Sequence, residues 1–279
     1  MYDEGGGMHV LTNIVGNHGG IGVRPGWAEA GVCAMFLFRH DDAWPAVERD
    51  VSYVGRIDPN DAAANRSWFL ERLQLPSDCA SFVRQVHGTD VIDVTRSMAT
   101  RVADHAAVRP EGDAQVTRDV GVVLGILVAD CAPVLFYDPV QRVVAAAHSG
   151  WRGTVKGISR AVVARMVNEY GSHVGDIRAA IGPCIRRCCY EVDETVAREV
   201  RGTHMERALL TRFGRDEKYW FSLPDAVRID LIHAGLRPEH VDDCGLCTAC
   251  RNQHLFSHRR EQGQAGRQMA IIALTDPQR

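Results

Sequence analysis

Apolar runs and the residues that break them divide this chain into short elements. Hydrophobic positions cluster at 31–38 (GVCAMFLF), 81–87 (SFVRQVH), 90–94 (DVIDV), 121–128 (GVVLGILV), 133–138 (PVLFYD), 142–148 (RVVAAAH), 177–182 (IRAAIG) and 268–274 (QMAIIAL). Runs this short, bounded by Gly, Pro and Asp, predict strands, several of them buried. The second and third flank Gly88-Thr89. Helical spacing appears elsewhere. Asp58 can cap, and Pro59 can open, a helix through AAANRSWFLERL to about residue 74. Val155, Ile158, Val162, Met166 and Tyr170 recur at helical intervals over 154–170, with Thr154 as cap and Gly171 at the far end. Residues 194–204 and 224–234 also read as helices, the latter with Pro224 near its start. The Gly-rich segment 5–31 predicts loops around short strands. Strands and helices mix without regular alternation and without a visible boundary. This predicts a single α+β domain over 1–279 with mixed sheets, rather than a doubly wound fold.

One run is broken from within. VADCAPVLFYD (128–138) carries Asp130 and Cys131 between apolar stretches, although carboxylates are seldom buried without a partner. Asp138-Pro139-Val140-Gln141 reads as the turn of a hairpin. With Pro139 and Val140 as the loop pair, Cys131 lies directly opposite His148. A longer loop slips the register and leaves the two as diagonal neighbours. Such a pair suits a thiolate–imidazole couple or two metal ligands, and equally a buried thiol beside a hydrogen-bonded histidine. The following SGWRGT (149–154) adds two glycines for close backbone approach, a helix start and the charge of Arg152, a corner suited to an anionic ligand. His87 ends its own strand before a glycine, as His148 does; spacing alone does not bring it to the hairpin. Asp130 is expected to point away from Cys131, towards backbone, a group behind the site, or an arginine. Asp113 and Gln85 have the same standing.

The 279 residues are 46% hydrophobic and 24% charged, with a formal net charge of −3, so nothing marks a nucleic-acid binder. No apolar window is long enough to span a membrane. The start, MYDEGGGMHV, lacks the features of a signal peptide, and the expected location is the cytoplasm. Nine cysteines in a reducing compartment call for metal ligation, catalysis or burial rather than disulfides. CGLCTAC…HLFSH sets Cys244, Cys247, Cys250, His254 and His258 at the spacing of a structural zinc cluster. Cys184, Cys188 and Cys189 are expected to be simply buried, because adjacent residues on a strand point to opposite faces.

Several segments together resemble the YfiH, or laccase-domain, family: NR (65–66), RQVHGTDV (84–91), GDAQVT (112–117), VADCAPVLFYDP (128–139), AAAHSGWRGT (145–154), IGPCIRRCCYEV (181–192), CTAC (247–250) and FSHRRE…GRQMAIIAL (256–274). They occur in family order from about residue 54 onward. The resemblance implies layered helices around mixed sheets, with a Cys–His hydrolase-like site. It implies one metal centre held by His87, Cys131 and His148, with zinc as the ion and copper as an alternative. The implied activity is phosphorolysis of adenosine, inosine or methylthioadenosine and deamination of adenosine, with nucleoside and phosphate as small-molecule partners. The alternatives it carries are a hydrolase that edits peptidoglycan precursors, with Cys131 as nucleophile, and a copper polyphenol oxidase. A zinc-binding interaction module without turnover is a further one. Arg152 and Arg260 are the expected phosphate ligands, and Arg39 matches a family arginine. The first 50 residues diverge, the family's glycine pair being replaced within MFLFRHDDAWP (35–45); elsewhere Arg56 stands where an acidic residue is usual, and His258 where tyrosine is common.

Overall fold

The computed structural model describes residues 21–27, 31–40, 48–53, 56–212 and 218–276. Most of the Gly-rich segment expected to loop, and part of the divergent stretch 35–45, lie outside these. Along the chain come β1 (Gly22–Val23), β2 (Val32–Leu37), α1 (Pro59–Arg72), β3 (Ala80–Phe82), β4 (Val91–Asp93), β5 (Ala114–Thr117), β6 (Val123–Val128), β7 (Ala132–Asp138) and β8 (Val143–Ser149). Then follow α2 (Trp151–Lys156), α3 (Ile158–Tyr170), β9 (Arg178–Ile181), β10 (Glu191–Val192), α4 (Glu194–Val200), β11 (Leu209–Arg212), β12 (Lys218–Phe221), α5 (Leu223–His233), β13 (Val241–Asp243) and β14 (Gln268–Leu274). The fold class is α+β, as expected. No helix among the described residues is long and apolar enough to cross a membrane.

Two mixed sheets stack at the centre. One has the order β13-β9-β7-β8-β5-β4, the other β1-β2-β14-β6-β3. The alternation along β7 and β8 explains why both strands read as unbroken apolar runs. Val134, Phe136, Ala145 and Ala147 face a helical layer through Val162 and Met166 of α3. Leu135, Tyr137, Val144 and Ala146 face the other sheet, against Leu124, Ile126, Ala270 and Ile272. A strand covered on both faces needs no polar side. The outer face of the second sheet is closed by Phe69 and Leu70 of α1, on Met35, Val123 and Ile271. A small sheet, β10-β12-β11, not read from the pattern, completes the fold.

Two local expectations change, and the sheet order adds a third point that the sequence leaves open. First, the β7–β8 register sets Pro133, not Cys131, opposite His148. Asp138 Oδ1 accepts from the N–H groups of Val140 and Gln141 at 2.8 and 3.0 Å, and Arg142 turns left-handed (φ 50°), which lengthens the loop to four residues. Cys131 and His148 are thus the diagonal neighbours of the longer-loop case. Second, the helix expected over 154–170 is two helices, broken at Gly157 (φ 91°), and it starts at Trp151 with Gly150 as cap. Thr154 lies inside the first turn and bonds back to Gly150 O at 2.9 Å. Third, the runs around Gly88-Thr89 do not pair with each other. β3 pairs with β6 and β4 with β5, so the chain crosses between the two sheets at this point. That crossing delivers His87 to the end of the β7–β8 hairpin.

Candidate active site

His87, Cys131 and His148 converge, their ligand atoms all within 4.8 Å of one another. The histidine rings meet edge to face, 4.8 Å between centroids. His148 is buried on β8, Cys131 half-buried just before β7, and His87 exposed at the sheet crossing with a left-handed φ of 60°.

Asp113 organises both histidines. This fully buried carboxylate accepts from the backbone N–H groups of Val86 (3.1 Å), His87 (3.0 Å) and Gly88 (2.6 Å), which fixes the unusual turn at His87. Its Oδ1 also lies 2.7 Å from His148 Nδ1. A carboxylate only accepts, so Nδ1 carries the proton and Nε2 is left as the free donor atom. Burial alone would raise the Asp113 carboxyl, but the bonds from His148, Gly88 and Val86 hold it below the ordinary value. Gln85 ties the same segment to β6 by two bonds with the Leu127 backbone, at 2.8 and 2.9 Å.

Asp130 answers the break in the apolar run. It is buried, with φ 87°. Its carboxylate accepts from Thr248 Oγ1, Ser257 Oγ (2.8 Å) and the Arg259 N–H (2.7 Å). It therefore clamps the 248–259 segment behind Cys131. Its partners are hydroxyls and a backbone N–H rather than an arginine side chain.

Gly150 sits under the cluster. A Cβ there would stand 2.9 Å from His87 Cδ2 and 3.0 Å from Cys131 Sγ, inside contact distance. Its φ of −73° suits any residue, so the demand is for space alone. Gly150→Ala is expected to leave the melting temperature within a few degrees and to weaken metal binding about tenfold or more, because the methyl group pushes two ligands apart. Zinc titration beside a thermal melt reads both quantities.

In the metal-free pair, burial pushes the Cys131 thiol up. The charge and hydrogen bond of His148, with those of His87, outweigh this and bring it down to about 6. Burial likewise opposes protonation of His148, but Cys131 and Asp113 raise it to about 9.

The cluster forms one end of a cleft of about 550 Å³. Trp151 and Tyr190 contribute flat aromatic walls, Arg259 and Arg267 contribute cationic ones, and His258 also lines the cleft. Arg259 bonds the Glu191 carbonyl at 3.0 Å and Arg267 those of Ala265 (2.8 Å) and Gly266 (2.9 Å); among the described residues neither is paired with a carboxylate. The arginines singled out from the sequence lie elsewhere. Arg39 is buried between Glu48 and Glu261 and stacks 4.3 Å over Phe256, so its charge is already neutralised away from the cleft. Arg152 is exposed and stacks 4.4 Å from the Trp151 ring at the rim. Arg260 is exposed, one residue beyond the arginine that lines the cleft. Arg259 was one position away in the same motif; Arg267 and Tyr190 carried no local signal beyond belonging to matched segments. The α2 helix is six residues long, too short to supply a strong dipole.

The second cysteine expectation is rearranged. Cys188 and Cys189 lie in a turn rather than on a strand, Cys188 is exposed, and both join Cys247 and Cys250 in an all-thiol group. Cys244 stands outside this group, as do His254, which touches Gln253, and His258, which lines the cleft.

A stacked-sheet α+β fold with a His–Cys–His centre at a sheet crossing defines the class. Residues 50–275 match the family described as multi-copper polyphenol oxidoreductase laccase, and the chain belongs to that family. It is 34% identical to a Bacillus subtilis protein named purine nucleoside phosphorylase YlmD, over 77% of this chain and 78% of that one. It is also 34% identical to a protein named adenosine deaminase RL5, from an unknown prokaryotic organism, over 70% of this chain and 76% of that one. The crystal structure of YlmD from Geobacillus stearothermophilus superposes with a TM-score of 0.81 at 32% identity, covering 91% of this chain and 96% of that one.

Proposed function

We propose that the protein is a zinc-dependent purine nucleoside enzyme, phosphorolysing adenosine, inosine or methylthioadenosine and deaminating adenosine. The observation that carries this reading is the convergence of His87, Cys131 and His148 in a cleft walled by aromatic rings and by two arginines that have no carboxylate partner among the described residues. Relatives named for phosphorolysis and for deamination support it. Two nitrogens and a sulfur with His148 held from behind by a carboxylate make a donor set that fits zinc with one open position. When bound, the ion supplies Lewis acidity, which activates water at neutral pH and suits attack on C6 of adenine. The chain's own residues do the rest. Trp151 and Tyr190 offer faces to a purine ring. Arg259 and Arg267 offer charge to phosphate. Asp113 keeps the proton on His148 Nδ1, so that Nε2 is left to hold the ion.

The test is product analysis. Zinc-loaded protein is incubated with adenosine, with and without phosphate, and the products are separated. Adenine that appears only with phosphate, and inosine independent of it, are the expected results. Neither product from folded, metallated protein overturns the reading. A copper oxidase fits less well, because among the described residues one three-ligand centre and one all-thiol group do not offer histidines for several coppers.

A second reading, a Cys–His hydrolase acting on cell-wall precursors, is favoured by the depressed thiol of Cys131 beside His148. Since the thiol sits near 6, metal-free protein is expected to lose Cys131 alkylation by iodoacetamide as the pH falls through about 6 and to keep it at neutral pH. Mass spectrometry of the modified peptide across pH 4–9 follows the thiolate; a midpoint near the ordinary cysteine value removes the basis for this reading.

A further inference from the structure

We infer that Cys188, Cys189, Cys247 and Cys250 form a second metal site, a structural tetrathiolate centre for zinc, which staples the turn before Tyr190 to the CTAC loop. The four Sγ atoms all lie within 4.8 Å of one another, and those of Cys188 and Cys189 each stand 3.4 Å from Cys250. A tetrahedral ion with Zn–S bonds of about 2.3 Å needs sulfurs about 3.8 Å apart, inside that range. Hydrophobic burial does not account for the group, because Cys188 and Cys250 are exposed. Of the buried thiols Cys247 belongs to it, while Cys79 and Cys184 stay outside.

The backbone holds the two loops in place without the ion. Cys184 and Cys247 form a β-bridge, with the Cys184 N–H on Leu246 O (3.3 Å) and the Thr248 N–H on Cys184 O (3.1 Å). Arg186 grips Asp243 through two bonds of 2.7 and 2.8 Å across the mouth of the same pair of loops. Four thiolates around a divalent ion leave two negative charges; Arg251 lines the groove beside them, together with Arg186 and Arg187, which are paired with Asp243 and Asp225. The adjacent cysteines can serve one ion because they occupy a turn, where successive side chains need not alternate.

The site's position gives it a role. Tyr190, a cleft wall, follows Cys189 directly, and Arg259 reaches the Cys189 carbonyl at 3.4 Å. Thr248, between the two loop ligands, donates to Asp130 beside Cys131. A metal here would fix the wall of the cleft opposite the His–Cys–His centre. This inference does not depend on the proposed reaction.

The experiment counts zinc in full-length protein by elemental analysis and native mass spectrometry. Wild type is expected to hold two ions per chain, Cys131→Ala one, and Cys188→Ser/Cys250→Ser one. Cobalt-loaded Cys131→Ala protein, with the thiol group untouched, should show the intense sulfur-to-metal charge-transfer bands of a four-thiolate centre; this measurement stands even where the double variant does not fold. Folded Cys131→Ala protein that binds no zinc or cobalt overturns the inference. So does a native disulfide among these four cysteines in protein purified without oxidant, or a double variant that retains both ions.

Discussion

Cys131→Ala is expected to empty the His–Cys–His centre and to lower phosphorolysis and deamination about a thousandfold, with the fold intact. The side chain is half-buried just before β7, with His87 and His148 as polar neighbours. Its removal therefore costs packing of about one methylene-sized group, ~1 kcal/mol. The chemical loss is far larger. Removing a group that only orients a ligand costs 10–100-fold, and this substitution removes the ligand itself. The same change also releases His148 from its proton-holding partner, so the imidazole returns towards an ordinary pKa. Metal content, far-UV circular dichroism and chromatography of the products measure the three consequences on one sample. Zinc retained on the two histidines while activity disappears would shift the weight to Cys131 as nucleophile. Activity within tenfold of wild type would remove Cys131 from the reaction under either reading.

Asp113→Asn is expected to damage stability and site together. The carboxylate receives three backbone N–H groups and His148 Nδ1, four donors in all. An amide of the same shape presents one accepting oxygen and turns an NH2 group towards the remaining donors. A hydrogen bond to a charged group contributes about 1.5–3 kcal/mol, so losing about two of them costs roughly 3–5 kcal/mol. For a chain of this size that lowers the melting temperature by roughly 10 °C. Zinc affinity and turnover should each fall about 10–100-fold, since His87 loses its turn and His148 its tautomer. The depressed carboxyl pKa sets the pH window: the stabilising contribution is present above the ordinary Asp value and is lost only as acid titrates the folded group. Thermal melts at neutral and acid pH and a competitive zinc titration check this. Wild-type stability with wild-type zinc affinity would mean that Asp113 is a bystander.

The legible parts of the molecule are those with a short range of cause. The buried strands β6, β7, β8 and β14 stood out because both of their faces are covered, and α1 because Asp58 caps it in sequence and in space. β5 was missed since Gln115 and Thr117 interrupt its apolar pattern. Both are buried, and Gln115 donates its Nε2 to the Gly125 carbonyl at 3.0 Å, a partner that local pattern cannot reveal. The hairpin was legible and its register was not: two extra loop residues followed from where the Asp138 carboxylate points. Arg39 illustrates the converse. Its neutralising Glu261 lies 222 positions away, so a motif match could offer it to substrate while the fold buried it elsewhere.

By itself the sequence determined the α+β class, the Cys131–His148 hairpin and, through its ordered motifs, the family. These rest on periodicity, turn chemistry and residue identity, which act over a few neighbours. Only the tertiary structure decided that the chain crosses between sheets at Gly88, so that His87 meets the hairpin and Asp113 serves both histidines. Only it moved the cleft's charge to Arg259 and Arg267 and gathered four cysteines from two distant loops. Sheet order and loop contact are set by burial of whole faces, a property of all the elements packed together, and no single segment carries it.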